Sequence, residues 1–401
     1  GGNMKKNDVY EVEILDVTYQ GFGLAKVDGL SVFVENTLKG EVAEIKIVKV
    51  LKKFAFGIVT KMIKESDKRV PLKDKVGMRI GTMPLQHMAY DEQLRFKKGT
   101  VVDVFSKLMS LEDVEVHDVI GMDNPWEYRN KAQVPVKMID GQLESGFYKS
   151  GSHDLVPVTN FYIQDPKIDE AIVIIRDILR EFEIPAYDET THEGLIRNIG
   201  VRRSKTRNEM MVILVFTKKE FAYKEELFEA IWNALDGIVS LVLNVNPKPT
   251  NVIMGRKNFV MKGENYYQDE LMGHTFRISP FSFFQINPVQ TEKLYQAAID
   301  LAEIGEDDHV VDAYCGIGTI SLSLAQSAAH VYGMDIIGDA ITMAKANALV
   351  NGVKNVTFEV GDAAEVIGDW KLRGLQIDAL VVDPPRKGLD STFIEYAITF
   401  D

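Results

Sequence analysis

A single cysteine, Cys315, in 401 residues excludes several classes of protein at once. No disulfide framework can form within this chain, and no all-cysteine metal or iron–sulfur site can be built from it alone. Such thiol poverty suits a reducing compartment. Long apolar runs are also missing. No stretch approaches the roughly 20 residues that a membrane-spanning helix needs, and no secretory signal is visible. The reading is a soluble, cytoplasmic protein with no membrane partner. Internal repeats and low-complexity tracts are absent as well. Gly1, Gly2 and Asn3 stand ahead of Met4 and read as a tag remnant.

An excess of positive charge is lacking too, because the formal net charge is -13. That balance would argue against a nucleic-acid partner if it were evenly spread. It is not: residues 287–401 hold 7 basic and 18 acidic side chains, whereas the other 286 residues hold 39 and 41. Between Lys39 and Lys75 there are 11 basic and 5 acidic groups. Local basic faces make phosphate contacts, so RNA stays open.

A chain of this length should fold as two or three domains. Residues 4–63 alternate apolar and polar positions in about five short runs separated by Gly, Asp and Asn turns, which predicts a small closed β-barrel of OB type. From Ser66 the pattern turns helical and charged, and "MAYDEQLRFKKGTVVDVF" reads as an amphipathic connector helix. Strand pairs then alternate with helices such as "DPKIDEAIVIIRDILREFE". Residues 64–275 therefore read as connector plus a central α+β domain with a mostly antiparallel sheet. In residues 276–401 strands and helices alternate as βαβαβ, the pattern of a parallel, Rossmann-like sheet covered on both faces.

The loop after the first strand of that sheet is Asp312-x-x-x-Gly316-x-Gly318, and Asp335 ends the next strand. Glycines there let the backbone approach a ligand, and a carboxylate at the end of strand two can accept ribose hydroxyls. A nicotinamide dinucleotide fits that pattern equally well. The fourth strand ends in "DPPR", Asp383 to Arg386. A Pro-Pro pair predicts a rigid extended turn that aims Asp383 into the cleft, a feature more at home in base methyltransferases than in dinucleotide folds.

Five segments, "LQHMAYDEQL", "YRNKAQVPV", "SPFSFFQINPVQTEKLY", "DAYCGIGTISL" and "DPPRKGLD", together resemble the RNA uracil-C5 methyltransferases in order and spacing over nearly the whole chain. The resemblance implies a multidomain α/β protein: an N-terminal TRAM domain of OB fold, a central α+β domain and a C-terminal class I methyltransferase domain. It implies S-adenosylmethionine as cofactor, with Gln285, Tyr314, Thr319, Asp335, Asp362 and Asp383 on cofactor-contacting positions. From the residues alone, Gln285 could be a core amide and Asp362 a turn aspartate. The phenylalanine run Phe281, Phe283 and Phe284 reads as core rather than as a base-stacking platform.

Methylation of uracil at C5 needs a temporary nucleophile at C6, supplied in this family by a cysteine thiolate and followed by a carboxylate base. By resemblance both lie beyond "DPPR", so no catalytic residue is expected within these 401 residues and the methyltransferase domain reads as incomplete after Asp401. Cys315 is then a cofactor-loop residue and not the nucleophile. Many relatives hold an iron–sulfur cluster just before "LQH". Here that place reads Ile80 to His87 without cysteine, so no cluster is expected and His87 is not read as a metal ligand.

RNA contacts are expected from Lys52 and Lys53 beside Phe54 and Phe56, where a solvated strand edge reads equally well, and from Arg202, Arg203 and Lys205 on a basic hairpin tip, with a solvated turn as the alternative; the resemblance places Arg129 and Lys131 of "YRNK" toward the substrate. The substrate implied is 23S rRNA, with tRNA as the alternative and a monomer as the working state. A reading of another class is an RNA-binding or assembly protein without catalysis.

Overall fold

A computed structural model describes residues 3–108, 110–384 and 394–395. The chain divides into two compact units, Gly1–Pro125 with Phe147–Tyr162, and Trp126–Gly146 with Ile163–Asp401.

The first unit holds β1 (Val9–Glu13), β2 (Asp16–Val17), β3 (Gly23–Val27), β4 (Leu30–Val34), β5 (Val42–Val50) and β6 (Phe54–Lys64). They form one sheet in the order β1-β5-β6-β4-β3-β2. Alternation dictates its two faces. Val32, Val34, Ala43, Ile45, Ile47 and Ala55 point inward and are fully buried. Phe33, Phe54 and Phe56 point the other way and, with Phe22, form a mostly edge-to-face cluster with neighbouring ring centroids 5.5 to 6.4 Å apart. The closed barrel expected from the sequence is not what forms. The hydrogen-bonded ladders leave β1 and β2 at the two edges. Only Ile14 and Leu15 separate these strands in the chain, so the sheet curls until its edges meet at that corner instead of closing through a ladder.

Buried Glu41 locks the sheet to the segment that follows. Burial pushes its carboxyl up, but hydrogen bonds from Arg69, the Ser66 amide and the Leu38 amide outweigh that and hold it below the usual carboxylate range. His87 is fully buried, and its Nε2 donates to the Thr37 carbonyl at 3.1 Å. The rest of this unit contains α1 (Lys75–Arg79), α2 (Tyr90–Asp103) and the short strand β9 (Leu155–Pro157). Contrary to the amphipathic expectation, α2 has no fully buried residue.

In the second unit β7 (Lys131–Ile139), β8 (Gln142–Tyr148), β10 (Ile196–Ser204), β11 (Glu209–Phe216), β12 (Ile238–Val245) and β13 (Lys257–Gly263) lie in the order β13-β12-β11-β10-β7-β8. Only β11 and β12 run parallel in that series. Helix α3 (Pro166–Glu181) has Asp165 as N-cap and Pro166 in its first turn, and it buries Ile168, Ile172, Ile175 and Leu179 along one stripe. Helix α4 (Lys224–Ala234) precedes β12. A hairpin of β14 (Tyr267–Leu271) and β15 (His274–Ile278) follows.

The parallel sheet is built from β16 (His309–Ala313), β17 (His330–Asp335), β18 (Val356–Val360) and β19 (Ala379–Val382), in the order β18-β17-β16-β19. Helices α5 (Pro288–Ala302), α6 (Ser321–Ala325), α7 (Gly338–Val350) and α8 (Ala363–Leu372) connect or flank these strands. The chain winds outward from β16 through β17 to β18, then returns to the other side of β16 as β19. A topological switch point therefore lies between β16 and β19, where α/β sheets bind ligands at the carboxyl ends of their strands. Among the described residues, no helix is long and apolar enough to cross a membrane.

Candidate active site

Register brings the sequence-predicted residues to one edge of the parallel sheet. Ala313 is level with Met334 on β17 and with Val382 on β19, so Tyr314 and Asp383 follow directly after their strands and Asp335 is the last residue of β17, all at the carboxyl edge. Tyr314 has φ 58°, a left-handed conformation uncommon for a residue with a side chain. Gly316 and Gly318 follow at φ 55° and 89°. The two glycines serve different ends. A Cβ at Gly318 would meet Phe358 Cζ at 3.0 Å, whereas one at Gly316 would meet nothing within 4 Å. The backbone at Gly316 is thus open to an approaching ligand.

Asp335 holds the loop from below, because its carboxylate accepts the Gly316 amide through Oδ2 at 3.0 Å and the Ile337 amide through Oδ1 at 3.0 Å. Each oxygen keeps a lone pair for a further donor. Asp312 is buried beneath the loop and accepts from the Ser321 hydroxyl. Burial pushes its carboxyl up to about 7; the Ser321 bond opposes that rise, and the charges of Asp383 and Asp335 add to it. Cys315 is buried as well, with its amide donating to the Met334 carbonyl at 2.9 Å. Burial, then Asp312 and Asp335, push its thiol far above the usual range.

Gln285 and Thr319 join the site through one network. The Gln285 amide donates to Asp383 Oδ2 at 3.4 Å, and Thr319 Oγ1 lies 2.9 Å from the Tyr295 hydroxyl. Burial pushes the Tyr295 phenol up to about 12; the Thr319 hydrogen bond opposes that rise, while Asp312 and Asp383 add to it. Sequence reasoning missed Tyr295 as a site residue, although it closes the quoted segment "SPFSFFQINPVQTEKLY" and sits on α5. Asp362 caps α8 by accepting from the amides of Ala364 and Glu365 at 3.0 and 3.2 Å. It therefore has a structural task at the place where a cofactor contact was expected. Asp383 and Pro384 are described; Pro385 and Arg386, and with them the Pro-Pro turn, lie outside the described residues.

The loop carrying Gln285 is shaped by the central sheet. Asn130 Nδ2 donates to the Gln285 carbonyl at 3.0 Å, and the Asn130 amide donates to the Ile286 carbonyl at 3.1 Å. Arg202 Nη1 reaches the Ser279 carbonyl at 3.2 Å at the loop's other end. Within this loop Phe284 is buried, but Phe281 is 44 % and Phe283 67 % exposed. The expected phenylalanine core is thus reduced to one residue.

The basic hairpin needs correction. Arg202 and Arg203 lie within β10, not on a turn. Arg202 is 2 % exposed and stacks its guanidinium 5.7 Å from the Tyr267 ring centroid, while Arg203 is bound by Asp165 at 2.6 Å. Their guanidiniums are committed inside the fold, unlike those of a solvated tip. Lys205 remains exposed and donates to the Glu127 carbonyl at 2.6 Å. Lys52 and Lys53 are exposed in the turn between β5 and β6. Arg129 and Lys131 are partly buried at the start of β7.

Comparison with known proteins adds family evidence to this geometry. Residues 4–60 match the TRAM domain family, and residues 304–383 match a methyltransferase domain family. A Lactiplantibacillus plantarum protein named as an uncharacterized RNA methyltransferase is 50% identical over 98% of this chain and 86% of its own length. A protein of the same name from Enterococcus faecalis is 47% identical over the same shares. In fold, the chain is similar to Pyrococcus abyssi tRNA (uracil-54, C5)-methyltransferase in complex with S-adenosyl-L-homocysteine. That likeness has a TM-score of 0.73 at 22% identity, over 96% of this chain and 86% of that one. With half its residues shared over nearly its full length, the chain belongs to the family of these RNA methyltransferases and carries both a TRAM domain and a methyltransferase domain.

Proposed function

We propose that this protein methylates carbon 5 of a uridine in RNA, with S-adenosylmethionine as methyl donor and 23S rRNA as substrate. The observation that carries the reading is the loop 279–287, which sets an exposed aromatic ring, Phe283, two residues from Gln285 at the edge of the candidate cofactor site. A ring in that place offers a flat face to a base turned out of its stack.

The residues present fit the cofactor. Gly316 is open to a ligand, Asp335 keeps lone pairs for ribose hydroxyls, Tyr314 and Thr319 belong to the glycine loop itself, and Asp383 after β19 is bonded by Gln285 of the 279–287 loop. Asp362 belongs to this set only if it can cap α8 and meet the ligand together. When bound, S-adenosylmethionine supplies an electrophilic methyl group.

In the proposed chemistry a cysteine thiolate adds to C6 and makes C5 nucleophilic. After C5 is methylated, a carboxylate base removes its proton and the thiolate leaves, restoring the double bond. Cys315 is not that thiolate, because burial keeps its sulfur protonated on the cofactor side. In the TRAM unit the exposed Lys52 and Lys53 beside the ring cluster offer RNA contacts, and in the second unit Lys205 offers another.

A tRNA substrate is the second reading, favoured by the name of the Pyrococcus abyssi neighbour. Mapping 5-methyluridine in ribosomal and transfer RNA from a strain lacking the gene tests both. Loss of the mark from 23S rRNA is expected; loss from tRNA alone transfers the reading to tRNA, and no loss from either sinks it.

A further inference from the structure

Like charges meet on the central sheet with no carboxylate among the described residues to neutralise them. Lys131 on β7 is the direct cross-strand partner of Arg202 on β10. Arg129 lies two positions earlier in the chain, and its Nη2 donates to the Lys131 carbonyl at 3.3 Å. Directly opposed like charges destabilise a sheet, and removing cations from water adds to the cost. Among the described residues no carboxylate pairs with Lys131, Arg129 or Arg202. The acids near this end of the sheet are engaged elsewhere: Asp165 binds Arg203 and caps α3, and Asp269 accepts from the Ser204 hydroxyl and the Glu270 amide.

Two of the cations also carry unused donors. Among the described residues the buried Nε atoms of Arg129 and Arg202 have no hydrogen-bond partner, and Arg202 is 2 % exposed. A buried donor left unsatisfied costs about 1 to 3 kcal/mol, so its retention calls for a reason. Burial, then Arg202 and Arg129, lower the Lys131 ammonium to about 8, in keeping with a group that lacks a counter-charge.

The position of the cluster indicates what fills it. Asn130, between Arg129 and Lys131, clasps Gln285, and Arg202 clasps Ser279. The cations therefore border the loop that carries Phe283. We infer that Arg129 and Lys131, with the buried Arg202 behind them, form a seat for one phosphodiester of the RNA strand, next to the nucleotide presented to Phe283. This deepens the proposed function and rests on it for the identity of the ligand. One acceptor-rich anion against Arg129 and Lys131 would satisfy the open Arg129 donor and offset the repulsion to which Arg202 contributes.

The test uses the native protein and its Lys131→Met variant. In chloride buffer without added phosphate, Lys131→Met should melt above the wild type, because it removes repulsion and keeps the stem's packing. A carboxylate contributed from outside the described residues would reverse that sign and overturn the proposal. At constant ionic strength, inorganic phosphate should raise the melting temperature of the wild type more than that of the variant; equal responses overturn it. With a single-stranded oligouridylate, the slope of log affinity against log salt should fall by roughly 0.7 in the variant, the loss of one single-strand phosphate contact. A seat that responds to phosphate but leaves this slope unchanged belongs to a free anion and overturns the RNA assignment. Failure of the uridine methylation reading would leave the phosphate response intact, so the two failures are distinguishable.

Discussion

Asp335 and Gly316 are joined by a 3.0 Å hydrogen bond from the Gly316 amide to Oδ2, which ties the end of β17 to the glycine loop after β16. One carboxylate thus shapes the loop and stands ready for ribose hydroxyls. Asp335→Ala should weaken S-adenosylmethionine binding by about 1.5 to 3 kcal/mol, the range for hydrogen bonds to a charged group. Isothermal titration of a folded variant checks this, and unchanged affinity would remove Asp335 from the site.

Cys315 packs close to Gly333, where an added Cβ would lie 3.2 Å from the Cys315 Cβ. Its thiol is buried and is the only one in these 401 residues. This chain should therefore form no denaturant-stable adduct with RNA carrying 5-fluorouridine. A covalent band from the 401-residue chain that disappears with Cys315→Ala would reassign the nucleophile.

Asp312 sets a pH signature. Its carboxyl rises to about 7 in the fold, from an ordinary value near 3.8. The folded state therefore binds the extra proton between these values. The Asp312 contribution to stability is least unfavourable below about 4, worsens as pH rises through that window, and its penalty is complete above about 7. Asp312→Asn keeps an acceptor for Ser321 and removes the penalty. Its thermal stability should exceed that of the wild type at pH 8, with the gap closing toward pH 4. A constant gap across that range would contradict the assignment.

Glu41 and Arg69 form a buried pair in the TRAM unit, with Arg69 Nε donating to Glu41 Oε2 at 2.7 Å. Arg69→Met strands a buried carboxylate and should cost about 3 to 5 kcal/mol. The double variant Glu41→Gln with Arg69→Met should cost less. Denaturant unfolding followed through this unit measures both, and equal costs would mean that the pair does not couple.

Phe283 separates substrate from cofactor. Phe283→Ala should weaken RNA binding by roughly 1 to 3 kcal/mol, the usual contribution of a base stacked on an aromatic ring. S-adenosylmethionine affinity should stay unchanged, because the ring projects away from the core. Equal losses in both titrations would return Phe283 to a packing role.

Features written in local pattern were legible. The 2-residue alternation of β5, the stripe of α3 and the Asp-Gly-Gly loop each act within one element, so spacing alone reveals them. Features that depend on distant partners were not. Arg202 looks like a surface cation until β7 and the 279–287 loop enclose it, and no sequence signal marks Ser279 as its acceptor. The same holds for Tyr295, whose link to Thr319 crosses 24 positions. In the TRAM sheet the alternation was plain, but closure depended on how β2, two residues long, ended its pairing.

The clasp between Asn130 and Gln285 spans 155 positions of chain. During synthesis β7 and β10 leave the ribosome well before Gln285, and domains generally fold as they emerge. The surface that moulds the 279–287 loop can thus be in place before the loop itself appears. The strands act as a template laid down early, and the site is cast against it later.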